Sequence, residues 1–279
     1  MAAPDTVSAP DVASFSLISA IRYDPALRAL AWNTAANAGI PSPFMLLRFH
    51  HDRLLAAARV HAWGPASALT WDAFHSACER AVAEYTGPAR DGPLKLRPEL
   101  ARDGVVSISV SPTLPLPADP MLASTISPFT DTLPSSLPLF PLFLDTHPTP
   151  SSVFTATKTT RRAHYAAARA RLALAPYPPP GAPPTPPERE EDVLLWNDAG
   201  MLTETSLRNV ALFRRGRWTT PADATGGLRG TVRRWLLEQG RVVQDTAGVL
   251  TRRIVQDGEM VLVFNGVEGC RLAVARLKK

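Results

Sequence analysis

Proline sets the strongest limit on what this chain can fold into. Of its 279 residues 28 are proline, and 15 of those fall within residues 111–140 and 176–189. Proline has a fixed φ and no N–H, so neither a helix nor a central strand runs through such a stretch. Dense prolines favour extended backbone and act as spacers. The two runs therefore act as joints. They assign residues 13–112 to a small α/β domain, 113–140 to an interdomain connection and 141–279 to a larger domain. Residues 176–189 (PYPPPGAPPTPPER) form an exposed insertion within the larger one, and residues 1–12 a loose tail. A length of 279 residues suits one large or two modest domains.

Charge and cysteines narrow the class. The net charge of +5 is mild and scattered. It suits a small anionic ligand and lacks the concentrated basic face of a nucleic-acid binder. No apolar run is long enough to span a membrane, and the first residues lack the basic and apolar regions of a signal peptide. Cys78 and Cys270 have no metal-ligand spacing and form no disulfide framework, which predicts a reducing, cytoplasmic setting.

The periodicities give an alternating α/β order. Residues 15–23 (FSLISAIRY) read as one strand closed by Asp24-Pro25. Residues 45–63 and 71–85 are helical patterns. Residues 93–97 and 105–110 read as strands around a turn at Asp103-Gly104. Further on, residues 193–196 read as a buried strand, and 210–213 with 217–220 as a hairpin around Arg215-Gly216. A glycine-bearing loop (226–230) enters a helix that stops near Gly240. Residues 252–255, 260–264 and 272–277 read as the closing strands. His50 and His51 are adjacent, so they face different sides of their helix and form no metal pair.

Lysine is scarce. The chain holds 30 Lys+Arg but only four lysines, Lys95, Lys158, Lys278 and Lys279. Lys158 stands inside an apolar-and-threonine run that leads into a helix. A desolvated amine loses part of its preference for the charged form and becomes a nucleophile suited to Schiff-base chemistry, which an arginine cannot do. A surface lysine before a helix is the plainer alternative.

Several blocks of sequence together resemble class IV pyridoxal-phosphate aminotransferases, and within them the fungal-type aminodeoxychorismate lyases. They are Leu144-Asp145-Thr146, Phe154-Thr155, Lys158-Thr159-Thr160, Arg162, Asp192 to Asn197, Glu204-Thr205-Ser206, Gly230-Thr231-Val232 and Asn265-Gly266-Val267-Glu268-Gly269, with His50-His51-Asp52-Arg53-Leu54 upstream. The resemblance implies a two-domain α/β (α+β) fold: a small N-terminal domain, a larger mixed-sheet domain, and pyridoxal 5'-phosphate in the cleft between them.

It implies roles by position. Lys158 binds the cofactor covalently and acts as acid and base. Glu204 pairs with its ring nitrogen, keeping the ring an electron sink. Arg53 and the N–H groups of Gly230, Thr231 and Val232 hold the phosphate. Asn265 and Gly266 turn near that phosphate, Tyr165 reaches the ring oxygen, and Arg162 and Arg22 are the candidates for a substrate carboxylate. No metal is implied. The implied reaction is cleavage of 4-amino-4-deoxychorismate to 4-aminobenzoate and pyruvate. A class IV transaminase and a non-catalytic relative are the alternatives, and oligomeric state stays open between monomer and homodimer. Two positions depart from the family pattern: Thr205 replaces a glycine, and Glu268 replaces an arginine.

Overall fold

The computed structural model describes residues 14–116, 118–135, 137–177, 184 and 190–277. The tail over residues 1–12 and most of the 176–189 insertion lie outside the described residues. The first half contains β1 (Leu17–Ile18), β2 (Ile21–Tyr23), α1 (Ala31–Ala36), α2 (Leu47–Val60), α3 (Trp71–Ala83), β3 (Leu94–Leu100), β4 (Val106–Pro112) and β5 (Phe140–Leu144). The second contains α4 (Val153–Ala156), α5 (Ala163–Arg171), β6 (Asp192–Trp196), β7 (Leu202–Thr205), β8 (Asn209–Arg214), β9 (Arg217–Thr220), α6 (Thr231–Glu238), β10 (Val242–Gln244), β11 (Met260–Asn265) and β12 (Gly269–Arg276). The architecture is the mixed α/β one that the sequence implies.

β3 is the centre of a four-stranded antiparallel sheet, with β4 on one side and β1 and β2 on the other. The expected single strand over 15–23 is divided, yet its register is unbroken: Leu17 faces Leu100 and Ile21 faces Leu96. The gap lies opposite Pro98. Ser19 N–H reaches Pro98 O at 2.9 Å, but proline has no N–H to return. The ladder opens there, at Ser19. β3 alternates strictly: Leu94, Leu96 and Leu100 pack with Phe74 of α3 and Leu54 of α2, while Lys95, Arg97 and Glu99 occupy the other face. Thr70 caps α3 by accepting the Ala73 N–H.

The second sheet has eight strands in the order β10-β9-β8-β11-β12-β5-β6-β7. β5 is parallel to both β12 and β6, and the remaining pairs are antiparallel except β10–β9. A strand with parallel partners is covered on both faces, so β6 is buried at all five positions. Alternate residues of β11 serve two cores. Val261 and Val263 pack with Val210 and Ala273 on one side. Leu262 and Phe264 pack on the other with Trp235 of α6 and with Leu27, Met45 and Phe49 from the first half of the chain. That second core joins the two sheets.

One expected strand is absent. Within residues 252–255 a 3-10 turn forms over Arg252–Ile254, where the Ile254 N–H turns back to Thr251 O and the Arg252 N–H bonds to Gly200 O. Among the described residues no helix is long and apolar enough to cross a membrane.

Candidate active site

A cleft of about 1320 Å³ opens between the two sheets. Lys158, Glu204, Tyr165 and Arg162 line it from the large-sheet side, and Arg53 and Lys95 from the other. Lys158 lies in a short extended segment after α4, whose capping box pairs Ser152 with Thr155. The segment is stitched to the small sheet: Ile18 N–H donates to Lys158 O at 2.8 Å, Thr160 N–H to Ser16 O at 3.0 Å, and Thr159 bridges Leu17. No side chain among the described residues accepts a hydrogen bond from the Lys158 amine. Burial, with Arg162 and Arg53 adding like charge, pushes this amine well below the usual lysine range, against the pull of Glu204. Lys158 is half-buried at the cleft wall, not on the open surface.

Glu204 projects from β7, 4% exposed. Burial raises its carboxyl to about 7, although a Tyr165 hydrogen bond and the nearby Lys158 work to lower it. Tyr165 Oη donates to Glu204 Oε1 at 2.8 Å, and burial beside that carboxylate holds the phenol far above its ordinary range. Tyr165 is the third residue of α5, while Lys158 precedes that helix in extended backbone, and the Tyr165 hydroxyl hydrogen is committed to Glu204.

Across the cleft, Arg53 of α2 has no carboxylate partner among the described residues. Its Nη2 donates to Ser19 Oγ at 2.6 Å, and its buried Nε has no acceptor. Burial lowers it to about 10, so it remains cationic at neutral pH. Facing it, Gly230 precedes α6, and the first helical N–H groups, Thr231 and Val232, have no acceptor among the described residues. A Cβ on Gly230 would run into the Asn209 side chain, and one on Gly266 into the His50 ring at 2.5 Å and Ala20 O at 2.7 Å. An unpaired buried guanidinium opposite free helix-terminal N–H groups, in a backbone cradle only glycine fits, is a donor set suited to a phosphate monoester.

Residues 35–274 match the sequence profile of the amino-transferase class IV family. The chain belongs to that family. Aminodeoxychorismate lyase of Saccharomyces cerevisiae is 35% identical over 140 residues, an alignment covering 48% of this chain and 37% of that protein. The chain therefore spans well under half the length of this curated relative. In fold it is similar to the branched-chain amino acid aminotransferase of Escherichia coli (TM-score 0.61, 14% identity, 95% of this chain and 77% of that one). It is also similar to an aminotransferase of Brucella abortus solved with the cofactor PLP (TM-score 0.59, 14% identity, 94% and 81%).

Other class IV positions differ from their expected roles. Arg22 is 1% exposed and four of its five N–H groups are engaged: Nε and Nη2 donate to Asp24, Nη2 also to Leu114 O, and Nη1 to Val267 O. It braces the small sheet at the cleft wall and leaves one Nη1 hydrogen for a substrate. Asn265 is likewise absorbed into the β11–β12 turn, accepting the Val267 and Glu268 N–H groups and donating to Glu268 Oε2 at 2.6 Å. Val232 is a core side chain that contributes only its backbone. Arg162, by contrast, donates to Ser206 O, lies 4.6 Å over the Tyr165 ring, and has no carboxylate partner among the described residues.

The two departures from the class IV pattern belong to one network. Arg208, in the turn between β7 and β8, is bidentate to Glu268 at 2.7 Å through both bonds, reaches Asp192 at 3.0 Å, and pairs with Glu190. Thr205 Oγ1 donates to Asp192 Oδ2 at 2.7 Å. Burial pushes Glu268 up, but Arg208 and Arg271 outweigh it and hold the carboxyl down to about 2. The glutamate is therefore neutralised where it stands. Lys95 and Arg97 also line the cleft, and Ser19 and His50 lie buried behind Arg53, although the sequence assigns none of the four to the site. The Lys-x-Arg spacing within 94–97 was the available signal, since a period of two puts both on one strand face.

Proposed function

We propose that the chain is a pyridoxal-phosphate-dependent lyase that converts 4-amino-4-deoxychorismate to 4-aminobenzoate and pyruvate. The observation that carries the reading is the buried, unpaired Lys158 amine beside Glu204, in a chain that aligns with a named aminodeoxychorismate lyase. The residues present fit the cofactor. Lys158 Nζ would hold it covalently, Glu204 would face its ring nitrogen, and Arg53 with the N–H groups of Thr231 and Val232 would take the phosphate. When bound, pyridoxal phosphate supplies a sink for the electron pair released when a carbon–hydrogen bond breaks.

The chain's own residues do the rest. Lys158 Nζ, whose charged form is disfavoured by burial and by its cationic neighbours, would accept the ring proton at C4. Tyr165 Oη and the Leu228 backbone N–H hold the Glu204 carboxylate at the cleft wall. Arg162, Lys95 and Arg97 put positive charge on the cleft walls, suited to a small dicarboxylate. Cys78 and Cys270 are both free thiols in the interior, consistent with a cytoplasmic setting.

The test is a visible spectrum of the protein with added pyridoxal phosphate beside Lys158→Ala, followed by an assay on aminodeoxychorismate. A cofactor band lost in the variant, with release of 4-aminobenzoate and pyruvate, supports the reading. Amino transfer to a keto acid without pyruvate release would replace it with a transaminase. A folded protein with no band would overturn both.

A further inference from the structure

The proposed cofactor site leaves one enclosed group without a role. His50 is 0% exposed and lies three residues before Arg53 on the same face of α2. Its Nδ1 is 2.7 Å from Ser19 Oγ, and its Nε2 is 3.4 Å from Thr231 Oγ1. Ser19 Oγ also lies 2.6 Å from Arg53 Nη2.

The direction of this chain follows from its first member. An arginine N–H can only donate, so Ser19 Oγ accepts from Arg53. Ser19 is itself 0% exposed. Among the described residues its hydroxyl hydrogen has one acceptor, His50 Nδ1. Burial, then the facing Arg53 and Lys158, push the imidazole well below the usual histidine range and disfavour its charged form, against a backbone hydrogen bond at Met45. A neutral ring that accepts at Nδ1 carries its hydrogen on Nε2. That hydrogen points to Thr231 Oγ1, so the Thr231 hydroxyl hydrogen is left to point elsewhere, and Thr231 lines the cleft.

We propose that His50 is a positioning residue that sets the direction of a hydrogen-bond chain from Arg53 through Ser19 to Thr231, so that the Thr231 hydroxyl presents its hydrogen to a phosphate already held by Arg53. The inference rests on the pyridoxal-phosphate reading.

Nitrogen-15 NMR of the full-length protein tests the direction without relying on activity, with the His50 signals assigned by their loss in His50→Asn. The expected result is a neutral Nε2–H ring between pH 6 and 8, with or without inorganic phosphate. A hydrogen on Nδ1, or an imidazolium, overturns the proposal. Two variants separate the ends of the ring. Gln places an N–H near the Nε2 position, and Asn places its oxygen near Nδ1. His50→Asn is expected to weaken binding of both inorganic phosphate and pyridoxal phosphate about tenfold, the loss of one oriented bond to an anion, and His50→Gln to recover most of it. Equal losses, or none, count against the chain. Failure of the cofactor reading is distinguishable, because it leaves wild-type protein with no pyridoxal-phosphate band whatever the tautomer.

Discussion

Two arginines border the same cleft and have opposite surroundings. Arg53 is buried with one serine oxygen for company, and burial lowers it to about 10. Burial pushes Arg208 down as well, but Glu268, Glu190 and Asp192 lift it above the ordinary arginine range. A desolvated cation without a counter-ion is costly to the fold and valuable to an arriving anion. A desolvated cation with its carboxylates in place is scaffold, and it is harmful only when broken. The contrast separates a binding arginine from a structural one where sequence shows two arginines of equal standing.

The comparison breaks most visibly at Arg208. Replacing it with Met leaves Glu190 and Glu268 to share Arg271 and Asp192 with Arg169 alone, and unfolding in denaturant should show a loss of about 3 kcal/mol. A loss below 1 kcal/mol would mean that the network is solvated. Next in size is Glu268→Arg, which restores the class IV pattern beside Arg208 and Arg271. It should destabilise by about 2–3 kcal/mol, and Arg208→Glu in the same chain should recover most of that. A double-mutant cycle reads the coupling, and strict additivity would remove the charge exchange as an explanation. Arg53→Met is the opposite case. Stability without ligand should change by less than about 1 kcal/mol, while phosphate affinity falls roughly tenfold to a hundredfold, as calorimetry would show.

The smallest effect is one of pH. Burial raises Glu204 in the folded protein from its ordinary 4.5 to about 7. A raised folded value favours the proton-bound fold, so this contribution to stability is complete below 4.5 and is lost as pH rises through about 7. Without cofactor, the melting temperature should therefore fall across that window, and the fall should be shallower in Glu204→Gln. An identical slope in the two proteins would show that Glu204 is not the group responsible.

What sequence made legible is local. The period-two run over 105–110, the Leu- and Ala-faced helix over 45–63 and the apolar 193–196 each declare their element, because burial of one face imposes a period on the residues. Lys158 was marked by its rarity, and Glu204 by its block. What stayed hidden depends on pairs far apart in the chain. Arg22 and Arg162 are indistinguishable as letters, and only the fold puts Asp24, Leu114 O and Val267 O around the first. The Tyr165 hydroxyl partner, Glu204, lies 39 residues away. The partner of Glu268, Arg208, is 60 residues away in sequence and 2.7 Å away in space.

The stitching of the Lys158 segment to β1 has a kinetic consequence. The lysine's carbonyl is an acceptor for Ile18, so its backbone is in effect an extra rung on the small sheet while its amine faces the glutamate of the large one. Fraying of that sheet edge would then withdraw the reactive amine. Amide hydrogen exchange at Ile18 and Thr160 should proceed at a common rate, and that rate measures how often the reaction centre comes apart.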